Sequence, residues 1–188
     1  MKKDIVRKTF LKKRQELSSS LFEELSSKVI QNTIELIKQL KPQCIHCFLP
    51  ISTKGEINTM PIIQYCWDNQ INVAVPVSNF EDGTLKNAEL RPNTGLKKTQ
   101  HNIAEPIDPI WMNNSAIDLV ITPLLAFDIR GYRVGYGKGF YDRFFVSLRQ
   151  EPKKIGLSLF DPCKAIEDIA DHDMPLTHCV TPQKIYIF

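Results

Sequence analysis

Four short apolar runs, separated by polar and helical stretches, constrain the fold of this chain more than any other feature. They span residues 44–49, 71–77, 117–122 and 155–159. Apolar runs of four to eight residues are typical of buried strands. Because helical patterns lie between several of them, the sequence predicts an α/β domain of three layers, with a mostly parallel or mixed sheet flanked by helices.

Helical periodicity predicts three helices in the first half of the chain, over residues 2–16, 20–40 and 59–69. The first helix is basic and has an incomplete apolar stripe. Ser20 and Glu23 predict a capping box at the start of the second helix. The third helix is expected to begin with a threonine N-cap and a proline in its first turn.

Weaker patterns complete the predicted fold. A strand over residues 84–90 follows an Asp-Gly turn, and a last strand spans residues 184–188. Residues 91–115 are rich in Pro, Asn and Thr with little periodicity, which predicts a long surface connection. Neither an internal repeat nor a composition break divides the sequence, so residues 1–188 are expected to form one domain.

Composition excludes several classes of protein. Hydrophobic residues make up 43% of the 188 residues and charged residues 24%, which is typical of a globular domain and too apolar for a disordered chain. No apolar run approaches the roughly 20 residues that a membrane span needs. Since no apolar segment follows the charged first residues, we expect no secretory signal and no membrane partner.

The five cysteines include a CxxC pair, Cys44 and Cys47, whose spacing is shared by zinc and redox sites. No second pair follows, and the apolar neighbours indicate a buried strand, in which these two side chains would point to opposite faces. We therefore expect reduced, structural cysteines, which favour a cytoplasmic location.

Positive charge is concentrated at the start of the chain. Residues 1–41 hold 10 Lys and Arg against 5 Asp and Glu, although the net charge of the whole chain is only +3. A basic segment of this kind contacts nucleic acid or phosphate ligands, or is simply solvated. It lacks the interleaved aromatic residues of a nucleic-acid patch, so no nucleic-acid partner is expected.

Half of the eight glycines lie in one segment, residues 131–139, between a predicted buried strand and a helical pattern. Glycines let backbone N–H groups approach a phosphate, and the helix N-terminus adds partial positive charge. Lys138, Arg133 and Arg143 would neutralise phosphate oxygens, and Asp142 would supply an oxygen ligand for Mg²⁺. The alternative is a glycine-rich turn with solvated cations, since the spacing matches neither the dinucleotide fingerprint nor the P-loop.

The same segment carries a family resemblance. Residues 133–143, Arg-Val-Gly-Tyr-Gly-Lys-Gly-Phe-Tyr-Asp-Arg, preceded by Pro123 and Ala126-Phe127-Asp128, closely resemble the signature of the 5-formyltetrahydrofolate cyclo-ligases. Further matches lie along the whole chain, at Lys3 and Arg7 in the first helix, Glu56 after the first strand, and Glu105-Pro106 ahead of the signature strand.

The resemblance implies an ATP- and Mg²⁺-dependent ligase. Such an enzyme converts 5-formyltetrahydrofolate, with or without a polyglutamate tail, into 5,10-methenyltetrahydrofolate and releases ADP and phosphate. Phosphoryl transfer from ATP would turn the formyl oxygen into a leaving group, and N10 would then close the ring. Catalysis of this kind is mostly positioning and charge neutralisation. We expect a cytoplasmic monomer whose partner is this small-molecule substrate.

Carried over residue by residue, the resemblance also implies roles for single side chains. Catalysis would fall to Lys138 and Arg133, and the metal ligand would be Asp142. Contacts to ATP would come from Lys3, Arg7, Arg133, Val134, Gly135, Tyr136, Gly137, Lys138, Gly139, Phe140 and Tyr141. Contacts to the folate would come from Ile51, Glu56, Tyr136, Gly137, Lys138, Gly139 and Phe140. Glu56 would accept from the pterin N–H groups, Ile51 would form an apolar wall, and Tyr141 would either stack on the pterin or pack.

Two positions depart from the family pattern. Leu124 stands where many members have glycine, which would alter the floor of the pocket. A second metal-associated acid near the C-terminal end is replaced by Thr177, unless Asp173 substitutes for it. His172 and His178 are expected to be surface or packing residues.

Two other functions stay open at the level of the sequence. A sugar-phosphate isomerase or transferase of similar architecture would need no nucleotide, so the formation of ADP separates it from a ligase. A nucleic-acid-binding module that uses the basic first helix would show strongly salt-dependent binding.

Overall fold

The computed structural model describes residues 1–148 and 151–188. Its α-helices are α1 (Lys3–Gln15), α2 (Ser19–Leu40), α3 (Met60–Asp68) and α4 (Phe140–Ser147). Its strands are β1 (Cys44–Cys47), β2 (Asn72–Asn79), β3 (Thr84–Glu89), β4 (Leu96–Lys98), β5 (Ala104–Pro106), β6 (Trp111–Met112), β7 (Leu119–Pro123), β8 (Ala126–Phe127), β9 (Arg133–Val134), β10 (Lys153–Leu157), β11 (His178–Val180) and β12 (Ile185–Ile187).

Eight strands form the main sheet, in the order β12-β11-β10-β7-β1-β2-β3-β6. The five central strands, from β11 to β2, run parallel, whereas β12, β3 and β6 are antiparallel at the edges. Helix α3 connects β1 to β2, and parallel neighbours need a crossover of this kind. The α/β prediction with a mixed sheet is therefore confirmed.

Alternate side chains of the central strands enter different cores. Ile45 and Ile121 pack with α2 and α3 on one face of the sheet. Cys44 and Val120 pack with α4 on the other face. Cys47 lies in the first of these cores, which confirms that the two cysteines of the CxxC pair point to opposite faces. Burial raises the pKa of the Cys44 thiol to about 11, as expected for an inert, structural cysteine.

The starts of two helices differ from the prediction. The N-cap of α2 is Ser18, whose hydroxyl accepts from the backbone N–H of Leu21 at 3.2 Å, so the capping box at Ser20 is wrong. Thr59 occupies the N-cap position of α3 with proline in the first turn, as predicted, but its hydroxyl donates to the carbonyl of Phe48 at 2.7 Å instead of accepting from a helix N–H. In each case a neighbouring side chain accepts from a backbone N–H at the start of the helix: Ser18 accepts from Leu21, and Asn58 accepts from Met60.

The predicted long connection over residues 91–115 is also wrong, since it contains three strands. β4 pairs with β5 in a small antiparallel hairpin, and β6 pairs with β3 at the edge of the main sheet. The sequence analysis missed β11 as well, which pairs with β10 and β12. These strands are two or three residues long, so pairing with distant partners rather than a local pattern defines them.

In the described part of the chain, none of the helices has the length and apolar character that crossing a membrane would require.

Candidate functional site

A cavity of about 560 Å³ opens at the carboxyl ends of three parallel strands. Phe48 and Leu49 line it directly after β1, Ser78 lines it near the end of β2, and Pro123 lines it at the end of β7. Loops from neighbouring parallel strands meet at this end of a sheet, which is why ligands of open α/β folds bind there. The volume is within the roughly 300–1,000 Å³ of small-molecule sites.

All of the site residues that the family resemblance implies line this one cavity. They come from three separate parts of the chain: Lys3 and Arg7; Ile51 and Glu56; and Arg133, Val134, Gly135, Tyr136, Gly137, Lys138, Gly139, Phe140, Tyr141 and Asp142. The fold therefore brings together the sets that the sequence places up to 139 positions apart.

Helix α1 presents two cations to the cavity because its apolar side is buried. Val6 and Phe10 pack against the hairpin of β8 and β9, which leaves Lys3 and Arg7, one turn apart, on the cavity wall. The Nε of Arg7 donates to the carbonyl of Gly135 at 3.0 Å, so the helix is tied directly to the glycine loop, residues 135–139 between β9 and α4. The backbone N–H of Lys3 donates to the Oδ1 of Asp168 at 2.7 Å.

Lys3 forms an ion pair with Asp173, which also lines the cavity. Burial acts to raise the pKa of Asp173, but hydrogen bonds from Lys3 and from the backbone N–H of Ala170 outweigh it and lower the pKa. Thr177 instead accepts from the backbone N–H of Lys154 at 2.9 Å and does not line the cavity. Asp173 therefore lies at the site, whereas Thr177, which stands at the position of the family's second acid, does not.

The glycine loop adopts backbone conformations that favour glycine. Gly137 has φ +89° and Gly139, the N-cap of α4, has φ +69°, values that L side chains rarely adopt. At Gly135 a Cβ would meet nothing within 4 Å, so this part of the loop faces open space. Lys138 lies between these glycines and is exposed at the cavity. The loop fits an anionic ligand that approaches the backbone closely.

Arg143 has a structural role beside the cavity. It does not line the cavity, and its Nε donates to the carbonyl of Gly83 at 2.7 Å while its Nη2 donates to the carbonyl of Lys138 at 2.5 Å. The guanidinium therefore ties the turn between β2 and β3 to the glycine loop. The sequence analysis grouped Arg143 with the cations that neutralise phosphate, whereas backbone carbonyls engage it in the structure.

Arg133 is almost fully buried at the cavity wall, with a side chain only 6% exposed. Its Nη2 donates to the Oδ1 of Asp142 at 2.8 Å, and its Nη1 donates to the carbonyl of Met174 at 2.5 Å. Burial lowers the pKa of the guanidinium, an effect that the Asp142 carboxylate opposes. The pair fixes the orientation of Asp142 and supplies a fixed positive charge near the loop.

Asp142 fits a metal ion that arrives with a phosphate ligand. Mg²⁺ is usually bound by one or two carboxylates together with substrate phosphates and waters. Asp142 provides one carboxylate at the cavity wall. Among residues 1–148 and 151–188, no group of three or more His, Cys, Asp or Glu side chains is arranged to hold a metal by itself. The side chains present are thus suited to a nucleotide-borne ion rather than to a protein-only cage.

Glu56 is a buried acceptor on another part of the wall. It is 9% exposed, and its Oε2 accepts from the backbone N–H of Ile51 at 2.7 Å. Burial raises its pKa, while the Ile51 N–H, the Tyr136 hydroxyl and the cations Arg14 and Lys54 act in the opposite direction. A desolvated carboxylate with few protein donors is suited to binding N–H groups of a ligand.

Arg14 lies behind this wall without lining the cavity, and the sequence analysis missed it. Its Nη2 donates to the carbonyl of Leu124 at 2.7 Å, and its Nη1 donates to the hydroxyl of Tyr136 at 3.3 Å. Its Nε is buried without a hydrogen-bond partner among the described residues. In the sequence Arg14 is one of several cations on a basic helix, and spacing along that helix does not distinguish it.

Two aromatic residues that line the cavity, Phe80 and His101, were also missed. Phe80, in the turn after β2, lies 3.8 Å from the ring of His101 and 5.1 Å from the ring of Phe140, measured between centroids. All three line the cavity, as does His172, which the sequence analysis had interpreted as a surface or packing residue. Phe80 and His101 lie in separate loops and Phe140 begins α4, so the proximity of the three rings depends on the tertiary fold.

The expectation that Leu124 reshapes the pocket floor is wrong. Its side chain is buried in a core with Phe127 and Leu176, away from the residues that line the cavity. It occupies the space that a side chain at Gly156 would need, since a Cβ there would lie 2.5 Å from the Leu124 Cδ2. The leucine therefore fills a gap opposite a glycine rather than altering the site.

Comparison with known proteins gives one consistent result. Residues 1–182 match the model of the 5-formyltetrahydrofolate cyclo-ligase family. The chain is 32% identical over 181 residues to the 5-formyltetrahydrofolate cyclo-ligase of Haemophilus influenzae, covering 93% of this chain and 95% of that protein. It is 33% identical over 141 residues to the 5-formyltetrahydrofolate cyclo-ligase of Escherichia coli K12, covering 72% of this chain and 77% of that protein.

Solved structures agree with this match. The NMR structure of the 5,10-methenyltetrahydrofolate synthetase of Aquifex aeolicus superposes with a TM-score of 0.76 at 28% identity, covering 100% of this chain and 93% of that chain. The 5,10-methenyltetrahydrofolate synthetase of Mycoplasma pneumoniae, 23% identical, shares the fold with a TM-score of 0.76, covering 97% of this chain and 99% of that chain. Since the family match spans nearly the whole chain, this chain belongs to the 5-formyltetrahydrofolate cyclo-ligase family, the ligases of folate and one-carbon metabolism.

Proposed function

We propose that this chain uses ATP to close 5-formyltetrahydrofolate to 5,10-methenyltetrahydrofolate, releasing ADP and phosphate. The observation that carries the proposal is one cavity in which the α1 cations, the glycine loop and buried Glu56 meet. The cations and the loop suit a polyphosphate, whereas the carboxylate suits the N–H groups of a pterin. A sugar-phosphate isomerase would use the first of these features but would leave a buried carboxylate without a ligand.

The chemistry explains why both features belong in one site. A formamide oxygen is a poor leaving group, so the formyl oxygen first takes the γ-phosphoryl group of ATP, and ADP departs. The lone pair of N10 then attacks the activated formyl carbon and the ring closes. The C–O bond breaks, phosphate carries away the electron pair, and N10 loses its proton. The site must therefore hold the γ-phosphoryl group and the formyl oxygen in line.

The side chains divide this work by burial. Lys138 is exposed in the middle of the glycine loop and can follow charge as it develops on the transferring group. Lys3 and Arg7 add positive charge from α1. Arg133, held by Asp142 and the Met174 carbonyl, is a charge of fixed position. Mg²⁺ bound with ATP would neutralise further phosphate charge beside Asp142.

The proposal is tested by following the absorbance of the methenyl product in purified protein given 5-formyltetrahydrofolate. We expect product only with both ATP and Mg²⁺, one ADP for each product, and loss of turnover when a chelator removes the metal. Product without nucleotide would overturn the phosphoryl-transfer step. ADP release that does not depend on the folate would overturn the coupling of the two substrates.

A further inference from the structure

A chain of polar side chains runs beneath the cavity and connects the two ends of α4 through the sheet. Its members are Tyr141 and Ser147 on α4, His46 on β1, Asn87 on β3, and Asn114 after β6. Of these, only Tyr141 lines the cavity. The remaining four are therefore not explained by direct contact with a ligand there.

Each neighbouring pair is within hydrogen-bond distance. The Tyr141 hydroxyl lies 3.1 Å from the Nε2 of His46, and the His46 Nδ1 lies 2.6 Å from the Oδ1 of Asn87. The Nδ2 of Asn87 lies 2.8 Å from the Oδ1 of Asn114, whose Nδ2 lies 3.1 Å from the Oγ of Ser147.

A backbone carbonyl sets the direction of three of these hydrogen bonds, those that link Ser147 to His46. The Ser147 hydroxyl lies 2.6 Å from the carbonyl of Phe144, which can only accept, so Ser147 donates there and accepts from Asn114. Asn114 must then accept from Asn87 through its other atom. Asn87 consequently offers an oxygen to His46, whose Nδ1 must carry the proton.

His46 is fully buried and its two hydrogen-bond partners, Asn87 and Tyr141, carry no charge, so nothing there would offset an imidazolium and the ring is neutral. The lowered pKa of the buried ring, about 4, agrees with this. Its Nε2 is therefore left as an acceptor for the proton of the Tyr141 hydroxyl, whose oxygen lies 3.1 Å away. With that proton committed to His46, Tyr141 has none to give to a ligand.

The position of His46 connects Tyr141 to the middle of the main sheet. β1 lies between β2 and β7 near the middle of the eight-stranded sheet. Tyr141 is the second residue of α4, directly before Asp142 and two positions after Gly139, the N-cap. The ring of Phe144 packs against His46 with centroids 4.7 Å apart, which fixes the imidazole from the side of the helix.

We propose that His46 is a positioning residue for the ligase: by accepting a hydrogen bond from the Tyr141 hydroxyl, it holds the first turn of α4, and with it the glycine loop and Asp142, in the geometry that phosphoryl transfer needs. Tyr141 is then a fixed wall of the cavity and donates no hydrogen bond to a ligand. The kinetic part of this inference rests on the proposed function, whereas the hydrogen-bond direction rests on the geometry and burial of the polar chain.

The test compares four purified variants with the parent chain. His46→Phe keeps a ring but removes both nitrogens, and Tyr141→Phe removes only the hydroxyl. His46→Gln keeps an amide that can accept from Tyr141. Leu36→Ala, on α2 far from the polar chain, is a matched control that destabilises a buried core without touching the site.

We expect His46→Phe and Tyr141→Phe each to lower kcat by roughly 10- to 100-fold, as expected for a displacement of about 1 Å at the reacting groups. The KM values should change less than kcat. The double variant should be no worse than the poorer single variant, because the two residues act through one bond. His46→Gln should recover most of kcat, and Leu36→Ala should lower Tm with kcat unchanged.

A purely structural role would give another pattern. His46→Phe would then lower Tm as Leu36→Ala does and keep the parental kcat, or the two site variants would have additive effects. Either result would overturn the positioning role.

A second measurement does not depend on activity. The ¹⁵N NMR spectrum of His46 in the free protein should show a neutral ring protonated at Nδ1, and Tyr141→Phe should shift the Nε2 resonance. A ring protonated at Nε2 would overturn the hydrogen-bond direction even if the enzyme is active. Absence of ligase activity in the parent chain together with the expected spectrum would instead refute the proposed function and leave the direction standing.

Discussion

At the scale of single residues, the pKa values of two of the cavity's acids, Glu56 and Asp173, are shifted in opposite directions. Burial raises the pKa of Glu56, whereas Lys3 and the backbone N–H of Ala170 lower that of Asp173 despite burial. Asp173 already has a protein cation, so its charge is satisfied without a ligand. Glu56 has no such cation paired with it among the described residues, so N–H donors of a bound substrate would stabilise its carboxylate.

Glu56→Gln should weaken folate binding without weakening the fold. A carboxylate hydrogen bond is worth about 1.5–3 kcal/mol, so the KM for 5-formyltetrahydrofolate should rise roughly tenfold or more. The KM for ATP should change little. Because a raised pKa means that the folded state disfavours the charged form, a neutral amide should leave the thermal midpoint unchanged or higher. Steady-state kinetics and a thermal melt check this, with exposed Glu23→Gln as the control. Equal effects on both substrates would contradict a pterin contact.

Lys138 and Arg133 should respond very differently to replacement by Met. Exposed Lys138→Met should keep the parental stability within about 0.5 kcal/mol but lower kcat roughly 10²- to 10³-fold, by analogy with deleted oxyanion donors. Buried Arg133→Met leaves Asp142 without its partner, so it should destabilise the fold by about 3–5 kcal/mol. Chemical denaturation and kinetics separate the two, with exposed Lys164→Met as the control. A stable Lys138→Met enzyme with parental kcat and KM for ATP would exclude that lysine from phosphate binding.

His46 should make the stability of the protein depend on acid pH. Its pKa is about 4 in the folded chain, against 6.5 for an unperturbed histidine. As the pH falls from 6.5 towards 4, His46 is protonated in the unfolded chain but stays neutral in the folded chain. The unfolded state is therefore favoured, and the protein loses stability over that pH range. The free energy of unfolding should fall by up to about 3 kcal/mol from this group. His46→Gln does not titrate, so the difference between the two proteins should shrink by that amount on acidification. A difference independent of pH would contradict a neutral, buried His46.

At the scale of elements, the glycine loop is held at both ends by cations from elsewhere in the chain. Arg7 reaches Gly135 from α1, and Arg143 joins the loop to the turn between β2 and β3. A Cβ on Gly137 would also lie 3.1 Å from the Nη2 of Arg7, so a side chain there would press on the helix that supplies the cation. Loop conformation and helix position are thus coupled.

This coupling predicts the effect of Arg143→Met. The variant removes two bonds to backbone carbonyls but no group that lines the cavity, so the loop should lose order while its own residues stay intact. We expect the KM for ATP to rise several-fold with a smaller change in the KM for the folate, because ordering the loop then costs binding energy. Hydrogen exchange of residues 133–139 should speed up in the free protein. Unchanged hydrogen exchange together with an unchanged KM for ATP would show that the two Arg143 hydrogen bonds do not order the loop for ATP binding.

At the scale of the whole molecule, the sequence predicted what is encoded locally. Four of the five central strands were found because their apolar runs are continuous, and the glycine loop was found because its spacing is unusual. The strands β4, β5, β6 and β11 were missed because their residues become strands only through distant partners. Arg14, Phe80 and His46 were missed for the same reason, since nothing in their neighbours along the chain marks them as part of a site.

Ligand binding should stabilise the whole domain because the cavity joins three parts of the chain. At ATP concentrations about 100-fold above Kd, the gain is about 2.7 kcal/mol. For a domain of this size that raises Tm by roughly 5–10 °C. Differential scanning fluorimetry measures it, and Arg7→Met should reduce the shift because α1 loses its contact with the loop. A parent protein whose Tm does not respond to ATP would contradict a nucleotide site in the cavity.

The attachments of α1 have a consequence for the order in which the protein can be made. The helix leaves the ribosome well before the residues that it contacts: Leu124 for Arg14, Gly135 for Arg7, and Asp173 for Lys3. Contacts so distant in sequence slow folding, because long loops must close before any bond is gained. During synthesis the apolar side of α1 therefore stays uncovered until residues more than 100 positions further along the chain have emerged. A nascent chain that stops before Asp173 would carry the glycine loop without Lys3 anchored beside it.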